Sequence, residues 1–430
     1  MKEAMSSALL TDHYELTMLR AALAGGGARR RAVFEVFARH LPQGRRYGVV
    51  AGTGRVLDAL EAFRFGDAEL EFLRESRVAD ERTLEYLASY RFGGDVYGYR
   101  EGECYFPGSP IMVVEGTFAD AVLLETVILS TLNHDSAVAS AASRMVHAAG
   151  SRPIIEMGSR RTHEIAAVAA ARAAYLSGFA STSNLMAGSR YGVPTAGTAA
   201  HAFTLLHDSE YEAFQAQLDS LGRDTTLLVD TYDVAKAVRT AVELAGPELG
   251  AVRIDSGDLG AAAGEVRQML DALGATSTRI VVTGDLDEYA IAALAAAPVD
   301  GYGVGTSVVT GSGAPTAAMV YKLVAREDAS GALAPVAKKS VGKPSRGGRK
   351  NAYRALESGT AVAELVTTAP DAPAPRGARP LLHPLVLSGE IVGREPLSEA
   401  RARHRSSTAE LPRLSHHLSP GDPAIPTVFT

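Results

Sequence analysis

Residues 227–285 read LLVDTYDVAKAVRTAVELAGPELGAVRIDSGDLGAAAGEVRQMLDALGATSTRIVVTGD and indicate the fold most directly. Short apolar runs at 227–229, 251–254 and 279–282 alternate with longer stretches that are rich in alanine and have apolar residues at helical spacing. Strands that alternate with helices form βαβ units, whose strands lie parallel in one sheet. The stretch therefore predicts an α/β fold built on a parallel sheet.

Similar apolar runs lie on both sides of this stretch. They occur at 153–155, 178–180 and 193–195 before it and at 301–304 after it. Seven runs suit a closed or nearly closed barrel better than a small open sheet, although an open doubly wound sheet is the alternative. We predict an irregular α/β barrel over residues 126–325.

The chain before the barrel differs in pattern. Residues 30–118 are mainly β in character, and residues 33–37 alternate apolar and polar with period two. Glycines and prolines divide residues 93–117 into short strands. Residues 119–149 then predict one long helix, because they are rich in alanine and leucine and contain no internal glycine or proline.

The chain after residue 325 is less regular. It contains a basic run at 338–350 and a proline-rich loop at 368–380. The N-terminal β segment has too little sequence to cover both faces of its sheet, so we expect the C-terminal part to fold back onto it. This predicts a second domain, an α/β sandwich made of residues 1–125 together with 326–430.

Composition excludes several classes of protein. The 430 residues are 46% hydrophobic and 21% charged, which is ordinary for a globular enzyme. A net charge of −6 argues against nucleic-acid binding and against a membrane-surface protein. The single cysteine, Cys104, excludes an internal disulfide and a cysteine-built zinc site. No apolar stretch approaches the roughly 18 residues of a membrane span, and no leader pattern is evident, so we expect a cytoplasmic protein.

Polar residues follow each apolar run, where a barrel brings its βα loops together. They are of types that bind anions or take part in chemistry: Glu156, Arg160, Ser183, His201, Asp230, Asp255, Asp285 and Thr306. Solvated loops would also be polar. A shared active site is favoured by the kinds of residue present, because each strand is followed by its own set of arginines, acids, a histidine or glycine turns.

Residues 253–258 read RIDSGD and combine a cation with two carboxylates. Arg253 and Asp255 point to the same side of a strand because side chains alternate. A structural salt bridge would explain this pair. The functional interpretation is a site for an anionic, hydroxyl-rich substrate, with carboxylates on ribose hydroxyls or Mg²⁺ and the arginine on a phosphate or carboxylate.

Two glycine-containing loops and one histidine add to this pattern. Gly284 lies in TGD at 283–285, and Gly303 and Gly305 lie in GVGT at 303–306. They either turn the chain or expose backbone N–H groups to a phosphate. His201 is expected after a tight glycine turn, and the pattern leaves a base, a metal ligand and a phosphate acceptor open.

Six motifs in this order resemble the nicotinate phosphoribosyltransferase family: TDHYELTM at 11–18, GSRR at 158–161, GTAAH at 197–201, VDTYD at 229–233, RIDSGD at 253–258 and GVGT at 303–306. The resemblance implies a homodimer with a shared active site. It also implies transfer of phosphoribosyl from phosphoribosyl pyrophosphate to nicotinate, with ATP as co-substrate, Mg²⁺ as cofactor and His201 as a phosphohistidine. The metal ligands stay unknown.

The resemblance also implies individual roles. It assigns catalytic roles to His201, Asp255 and Arg253. It assigns nicotinate binding to Tyr14 of the neighbouring subunit, Arg160, Arg253 and Ser183. Phosphoribosyl and phosphate binding falls on Arg160, Asp258, Gly284, Asp285, Gly303, Gly305 and Thr306. Met157 departs from the family, because relatives often have an aromatic ring there.

Three rivals are weighed against this prediction. Nicotinamide-specific relatives place an aspartate in the second-strand loop, whereas residues 181–184 read STSN. Quinolinate-specific relatives are shorter and lack the segment around His201. A non-catalytic barrel that binds a sugar phosphate would have no use for that histidine or for Tyr14.

Overall fold

The computed structural model describes residues 6–42, 44–338, 346–368 and 374–430. The chain forms two compact units, one made of residues 1–140 with 314–430 and the other of residues 141–313. The domain limits predicted from the sequence, near residues 125 and 326, stay predictions. None of the helices in the described residues is long and apolar enough to cross a membrane.

The first part of the chain combines short strands with helices. Its strands are β1 (Arg31–Ala38), β2 (Gly48–Val49), β3 (Asp95–Gly98), β4 (Cys104–Tyr105) and β5 (Met112–Thr117). Its helices are α1 (His13–Ala24), α2 (Thr53–Glu61), α3 (Asp67–Glu75), α4 (Glu81–Ala88), α5 (Phe118–Val122) and α6 (Glu125–Ala149), after a 3₁₀ turn at Ala8–Leu10.

Strands and helices then alternate. The strands are β6 (Ile154–Glu156), β7 (Ser181–Thr182), β8 (Thr226–Leu228), β9 (Ala251–Ile254), β10 (Arg279–Val282) and β11 (Gly301–Val304). The helices are α7 (Glu164–Leu176), α8 (Leu185–Tyr191), α9 (His201–Leu206), α10 (Glu210–Leu221), α11 (Val234–Ala245), α12 (Leu259–Ala272), α13 (Glu288–Ala293) and α14 (Thr306–Val309), with a 3₁₀ turn at Leu294–Ala296.

The last part returns to strands. They are β12 (Met319–Glu327), β13 (Leu333–Pro335), β14 (Asn351–Glu357), β15 (Thr360–Thr367), β16 (Ala378–Pro380), β17 (His383–Leu387), β18 (Glu390–Ile391) and β19 (Thr427–Phe429). Helix α15 (Leu397–Ala409) and a 3₁₀ turn at Arg413–His416 lie between β18 and β19.

One sheet joins both ends of the chain. Its seven strands lie in the order β13-β12-β1-β5-β3-β17-β18. Strand β1 pairs antiparallel with β12 on one side and with β5 on the other. Because β12, β13, β17 and β18 come from the C-terminal part, the prediction of a unit built from both chain ends is confirmed. Further strands form a sheet in the order β16-β14-β15-β19 and the pair β2-β4.

The basic run at 338–350 lies partly within the described residues. Lys339 and Lys343 lie outside them, and so do residues 369–373 of the proline-rich loop. Lys350 is buried, and its Nζ donates to Glu35 Oε2 at 2.7 Å, so this lysine is not a solvated charge. Removing one partner of such a buried pair costs about 3–5 kcal/mol.

The second unit contains the parallel sheet. Its six strands lie in the order β7-β6-β11-β10-β9-β8, and every neighbouring pair is parallel. The α/β prediction is confirmed, as a curled half-barrel. The expected seventh strand at 193–195 is wrong, because Thr195 forms only an isolated bridge with Thr182. Pro194 has no N–H to extend a ladder there.

Two further expectations are corrected. Residues 53–88 hold helices α2, α3 and α4 within the segment predicted to be mainly β. Helices α2 and α4 bury residues at helical spacing, Thr53 with Val56 and Leu57 in α2 and Thr83 with Leu84 and Leu87 in α4, and this period is that of a helix and not of a strand. The single helix predicted for 119–149 is divided into α5 and α6.

Candidate active site

The predicted polar residues of the parallel sheet lie where its strands end. Parallel strands share one carboxyl edge, and enzymes of this architecture bind substrates there. Arg253 is the residue around which this edge is organised. Its Nε donates to Thr283 Oγ1 at 2.8 Å, and its Nη1 donates to Thr198 Oγ1 at 2.7 Å and to the Ala199 carbonyl at 3.3 Å. These bonds connect two loops, the one before α9 and the one after β10, to β9.

Asp255 completes this cluster. It accepts from Arg253 Nη2 at 2.6 Å and from the Thr283 hydroxyl, so the two residues of RIDSGD point to the same side as predicted. Burial alone would raise the pKa of the Asp255 carboxyl, but hydrogen bonds from Thr283 and Arg253 outweigh it and hold that pKa below its usual value. Asp255 is therefore a stable anion at neutral pH.

His201 begins helix α9 and lies beside two carboxylates. Its Nδ1 is 3.1 Å from Thr231 Oγ1, and its Nε2 lies 3.8 Å from Asp255 Oδ2 and 4.0 Å from Asp230 Oδ1. The imidazole is 40% exposed, so a ligand can reach it. The tight glycine turn expected before it is wrong, because Gly197 has no left-handed φ and Ala200 is extended.

Asp230 supports this arrangement from the end of β8. Its Oδ2 accepts from the Asp255 N–H and from Ser256 Oγ, each at 2.8 Å. Its Oδ1 is buried and accepts no hydrogen bond from any residue that the structure describes. A buried carboxylate oxygen with an unused lone pair favours a cation or a hydroxyl donor from a ligand.

The loops after β6 and β7 carry the predicted nicotinate residues. Arg160 is exposed, and Ser183 is half-buried with its N–H bonded to the Glu156 carbonyl at 2.8 Å. Asn184 Nδ2 donates to Ser159 Oγ at 3.0 Å and so connects the two loops. The structure therefore places Arg160 and Ser183 on joined loops.

The predicted phosphate glycines differ in their surroundings. Gly284 has φ +111° and an added Cβ would lie 2.4 Å from the Asp255 carbonyl, so only glycine fits there. Asp285 also has a positive φ, +47°. Gly303 lies inside β11, where a Cβ would be 2.5 Å from Thr283 Cγ2. Gly303 is thus needed for strand packing, whether or not it also binds phosphate.

The remaining predicted residues lie on other elements. Gly305 precedes α14 and Thr306 begins it, while Asp258 caps α12 by accepting from the Ala261 N–H at 3.1 Å. Tyr14 is exposed on α1 in the unit made of both chain ends. Partial desolvation of its hydroxyl and the charge of the neighbouring Glu125 carboxylate raise the pKa of Tyr14, so the hydroxyl stays neutral.

Sequence reasoning gave no role to several residues of this network. Thr198 lies in the loop before α9, whereas Asp230 and Thr231 follow β8. Asp230 is among the polar residues predicted to share the site, but the motifs GTAAH and VDTYD gave none of the three a specific role. Glu156 follows the first run and is 99% buried at the base of the loops. Asp230 and Glu156 each follow a short apolar run directly, and this position was the sequence signal that could have identified them.

A curled parallel sheet with a charged cluster at its carboxyl edge is the architecture of an α/β-barrel enzyme. The model of the nicotinate phosphoribosyltransferase N-terminal domain matches residues 9–133. The chain is 58% identical to nicotinate phosphoribosyltransferase pncB1 of Mycobacterium tuberculosis, over 97% of this chain and 94% of that protein. It is 37% identical to the nicotinate phosphoribosyltransferase of Bacillus subtilis, over 82% of this chain and 74% of that protein.

Solved structures agree with these relatives. Human nicotinic acid phosphoribosyltransferase superimposes with a TM-score of 0.84 at 28% identity, covering 98% of this chain and 97% of that one. Nicotinate-nucleotide pyrophosphorylase from Pyrococcus furiosus gives a TM-score of 0.77 at 27% identity, with coverage of 94% and 95%. This chain is an enzyme that belongs to the nicotinate phosphoribosyltransferase family, and the resemblance inferred from the six motifs is confirmed.

Proposed function

We propose that this chain catalyses ATP-dependent transfer of phosphoribosyl from phosphoribosyl pyrophosphate to nicotinate, giving nicotinate mononucleotide and pyrophosphate at the entry to NAD salvage. The observation that carries the proposal is the cluster of Arg253, Asp255 and His201 at the carboxyl edge of the parallel sheet. It combines a fixed anion, a cation and an accessible imidazole, as transfer between two anionic substrates requires.

Nicotinate rather than nicotinamide fits the loop after β7. Residues 181–184 contain no carboxylate that would repel the acid or accept from an amide. Exposed Arg160 is available for the carboxylate of nicotinate. Arg253 has one Nη2 N–H without a hydrogen-bond partner among the described residues, so it offers a second, more limited contact.

Ribosyl transfer needs electrostatic stabilisation more than a base. The pyridine nitrogen forms the new bond to ribose C1 with its own lone pair, while the C1–oxygen bond breaks and its electrons leave with pyrophosphate. Positive charge develops at C1, and the Asp255 anion stabilises it because hydrogen bonds from Arg253 and Thr283 already orient its carboxylate. We assign the binding of the phosphoribosyl and phosphate groups to Arg160, Asp258, Gly284, Asp285, Gly303, Gly305 and Thr306, as the family motifs imply.

Magnesium fits the donors at this edge. In the described part of the chain, no group of three or more histidine, cysteine, aspartate and glutamate side chains could hold a metal by itself. Mg²⁺ is commonly held by one or two carboxylates together with substrate phosphates. Asp230, with its buried and unused Oδ1, would be such a carboxylate. The ion would neutralise charge on the departing pyrophosphate.

ATP coupling is proposed to proceed through His201. If its Nδ1–H donates to Thr231, Nε2 keeps the lone pair that attacks the γ-phosphorus, and ADP leaves with the electrons of the broken bond. The ring gains positive charge as the bond forms. Two carboxylates within about 4 Å of Nε2 stabilise that charge.

A homodimer with Tyr14 acting in the partner's site is the remaining part of the proposal. The second unit exposes large apolar side chains on α8 and α9, with Leu185 76% and Leu206 77% exposed. Met186, Leu205 and Tyr232 are exposed as well. Exposed apolar clusters on a globular protein favour a partner surface, and a second copy of this chain is the partner proposed.

The test is an assay of the purified protein with nicotinate, nicotinamide or quinolinate, each with phosphoribosyl pyrophosphate and with or without ATP. Chromatography would quantify the mononucleotide products and the release of ADP. Nicotinate should be used far better than nicotinamide or quinolinate. ATP turnover should depend on the presence of both nicotinate and phosphoribosyl pyrophosphate. Equal rates with nicotinamide, or binding of sugar phosphates without turnover, would contradict the proposal.

A further inference from the structure

Glu156 lies at the base of the proposed substrate loops and is not used in the reaction described above. It is the last residue of β6, and its register partners are Thr182 of β7 and Val304 of β11. Its side chain is therefore at the point where three neighbouring strands reach the carboxyl edge. The residue is 1% exposed and forms no ion pair with any described residue.

The carboxylate of Glu156 holds two loops by two hydrogen bonds. Oε1 accepts from the Gly158 N–H at 2.5 Å, at the start of the loop that carries Arg160. Oε2 accepts from the Thr182 hydroxyl at 2.5 Å, just before Ser183. Thr182 Oγ1 in turn accepts from the Asn184 N–H at 3.0 Å, so the second contact extends into the loop after β7.

The packing around Gly158 leaves this loop little freedom. A Cβ at Gly158 would lie 2.2 Å from Val309 Cγ1, and 2.9 Å from both Glu156 Oε1 and the Gly305 carbonyl. The Gly158 backbone is thus enclosed by the carboxylate on one side and by the segment after β11 on the other. The Glu156 carboxylate is thus one of the contacts that hold the loop where it leaves the strand.

A buried carboxylate without a cation is costly, which argues that it is kept for a purpose. Burial raises the pKa of the Glu156 carboxyl, and the Thr182 and Gly158 hydrogen bonds only partly offset this. A purely apolar side chain of similar size would pack at this place without that cost. It would leave the Gly158 N–H and the Thr182 hydroxyl without their acceptor.

We infer that Glu156 is a positioning residue, which holds the loops of Arg160 and Ser183 in one arrangement for nicotinate. The inference rests on the proposed function, because it assigns those loops to that substrate. Glu156 does not contact the reacting atoms in this scheme. Its effect is on the affinity of the site for nicotinate, through the placement of the residues that bind it.

Two substitutions at one position separate positioning from stability. Glu156→Ala removes both acceptors, so the KM for nicotinate should rise at least tenfold with a much smaller change in kcat. Glu156→Gln keeps the acceptor for Gly158 and can donate to Thr182 Oγ1, so its KM should stay within about threefold of the unsubstituted enzyme. Asp300→Ala is the matched control, since Asp300 accepts from the Ile280 N–H at 2.7 Å at the opposite edge of the same sheet.

Amide hydrogen exchange over residues 157–163 provides a readout that needs no turnover. Exchange there should accelerate at least tenfold in Glu156→Ala and stay unchanged in Glu156→Gln and Asp300→Ala. Unchanged exchange and KM in folded Glu156→Ala would overturn the inference, and so would an equal rise of KM in the control or in Glu156→Gln. If the unsubstituted enzyme makes no nicotinate mononucleotide, the proposed function fails, while the exchange data still decide whether Glu156 positions the loop.

Discussion

Glu15, in the motif at residues 11–18, is a buried carboxyl whose charge costs stability at neutral pH. It is fully buried, and Oε1 accepts from the Thr126 N–H at 3.0 Å and from the Thr126 hydroxyl. The Thr11 hydroxyl donates to Oε2. Burial raises the pKa of Glu15 from 4.5 to about 7, although the hydrogen bonds from Thr11 and Thr126 oppose the shift, and repulsion from Glu125 adds to it.

The sign of the pH dependence follows from this shift. The folded chain holds the Glu15 proton up to a pH near 7, whereas the unfolded chain releases it near pH 4.5. The stabilising effect of the bound proton is complete below pH 4.5 and is lost as the pH rises through about 7. Compared with its value at low pH, the free energy of unfolding is therefore lower by about 1 kcal/mol at pH 5 and by about 3 kcal/mol at pH 8.

Glu15→Gln removes the titration while keeping an acceptor for Thr126. We expect this variant to be more stable than the unsubstituted protein, by a margin that grows by about 2 kcal/mol from pH 5 to pH 8. Urea unfolding at several pH values, followed by circular dichroism, measures the margin. Glu85→Gln on the exposed face of α4 is the control and should show no such trend. A margin for Glu15→Gln that is constant with pH would refute the reasoning.

Four further predictions concern the site. His201→Ala should abolish nicotinate-dependent ATP hydrolysis and acid-labile phosphorylation, yet keep a slow ATP-independent transfer, because the groups around the ribose remain. Thr283→Val should lower kcat/KM by roughly 10- to 100-fold, because it removes a donor that orients the cluster carboxylate, and should cost about 1–3 kcal/mol of stability, because Arg253 Nε loses its acceptor. Gly284→Ala should lose stability by at least about 1–3 kcal/mol, measured by urea unfolding, because its Cβ meets a backbone carbonyl at a positive φ. Mixing Tyr14→Ala with Arg253→Ala chains should restore part of the activity, through hybrid dimers that hold one intact site.

Each of these has a result that contradicts it. Undiminished ATP coupling in folded His201→Ala would exclude the covalent role. If ATP hydrolysis, phosphoribosyl transfer and stability all fell together in this variant, the role of His201 would be structural. Full activity in Thr283→Val would show that the threonine does not orient the carboxylate. Gly284→Ala with unchanged stability would mean that the loop relaxes freely. Inactive hybrids that demonstrably form would exclude a shared site.

The sequence by itself determined the class of fold and the family. Apolar runs at 251–254, 279–282 and 301–304 are strands with those bounds, because buried parallel strands are continuous apolar segments whose signal is local. The same-side placement of Arg253 and Asp255 also followed from strand periodicity alone. The motif order was enough to predict the family.

Only the tertiary structure decided the features that depend on distant segments. Residues 193–195 are apolar but form no strand, since pairing depends on the neighbour and Pro194 lacks an N–H. Two N–H donors of the Arg253 guanidinium bond to Thr198 and Thr283, which lie 55 and 30 residues away in sequence. No local sequence pattern predicts these contacts. The hydrogen bond from the Thr182 hydroxyl to Glu156 likewise joins residues 26 positions apart, because the fold places β6 and β7 side by side.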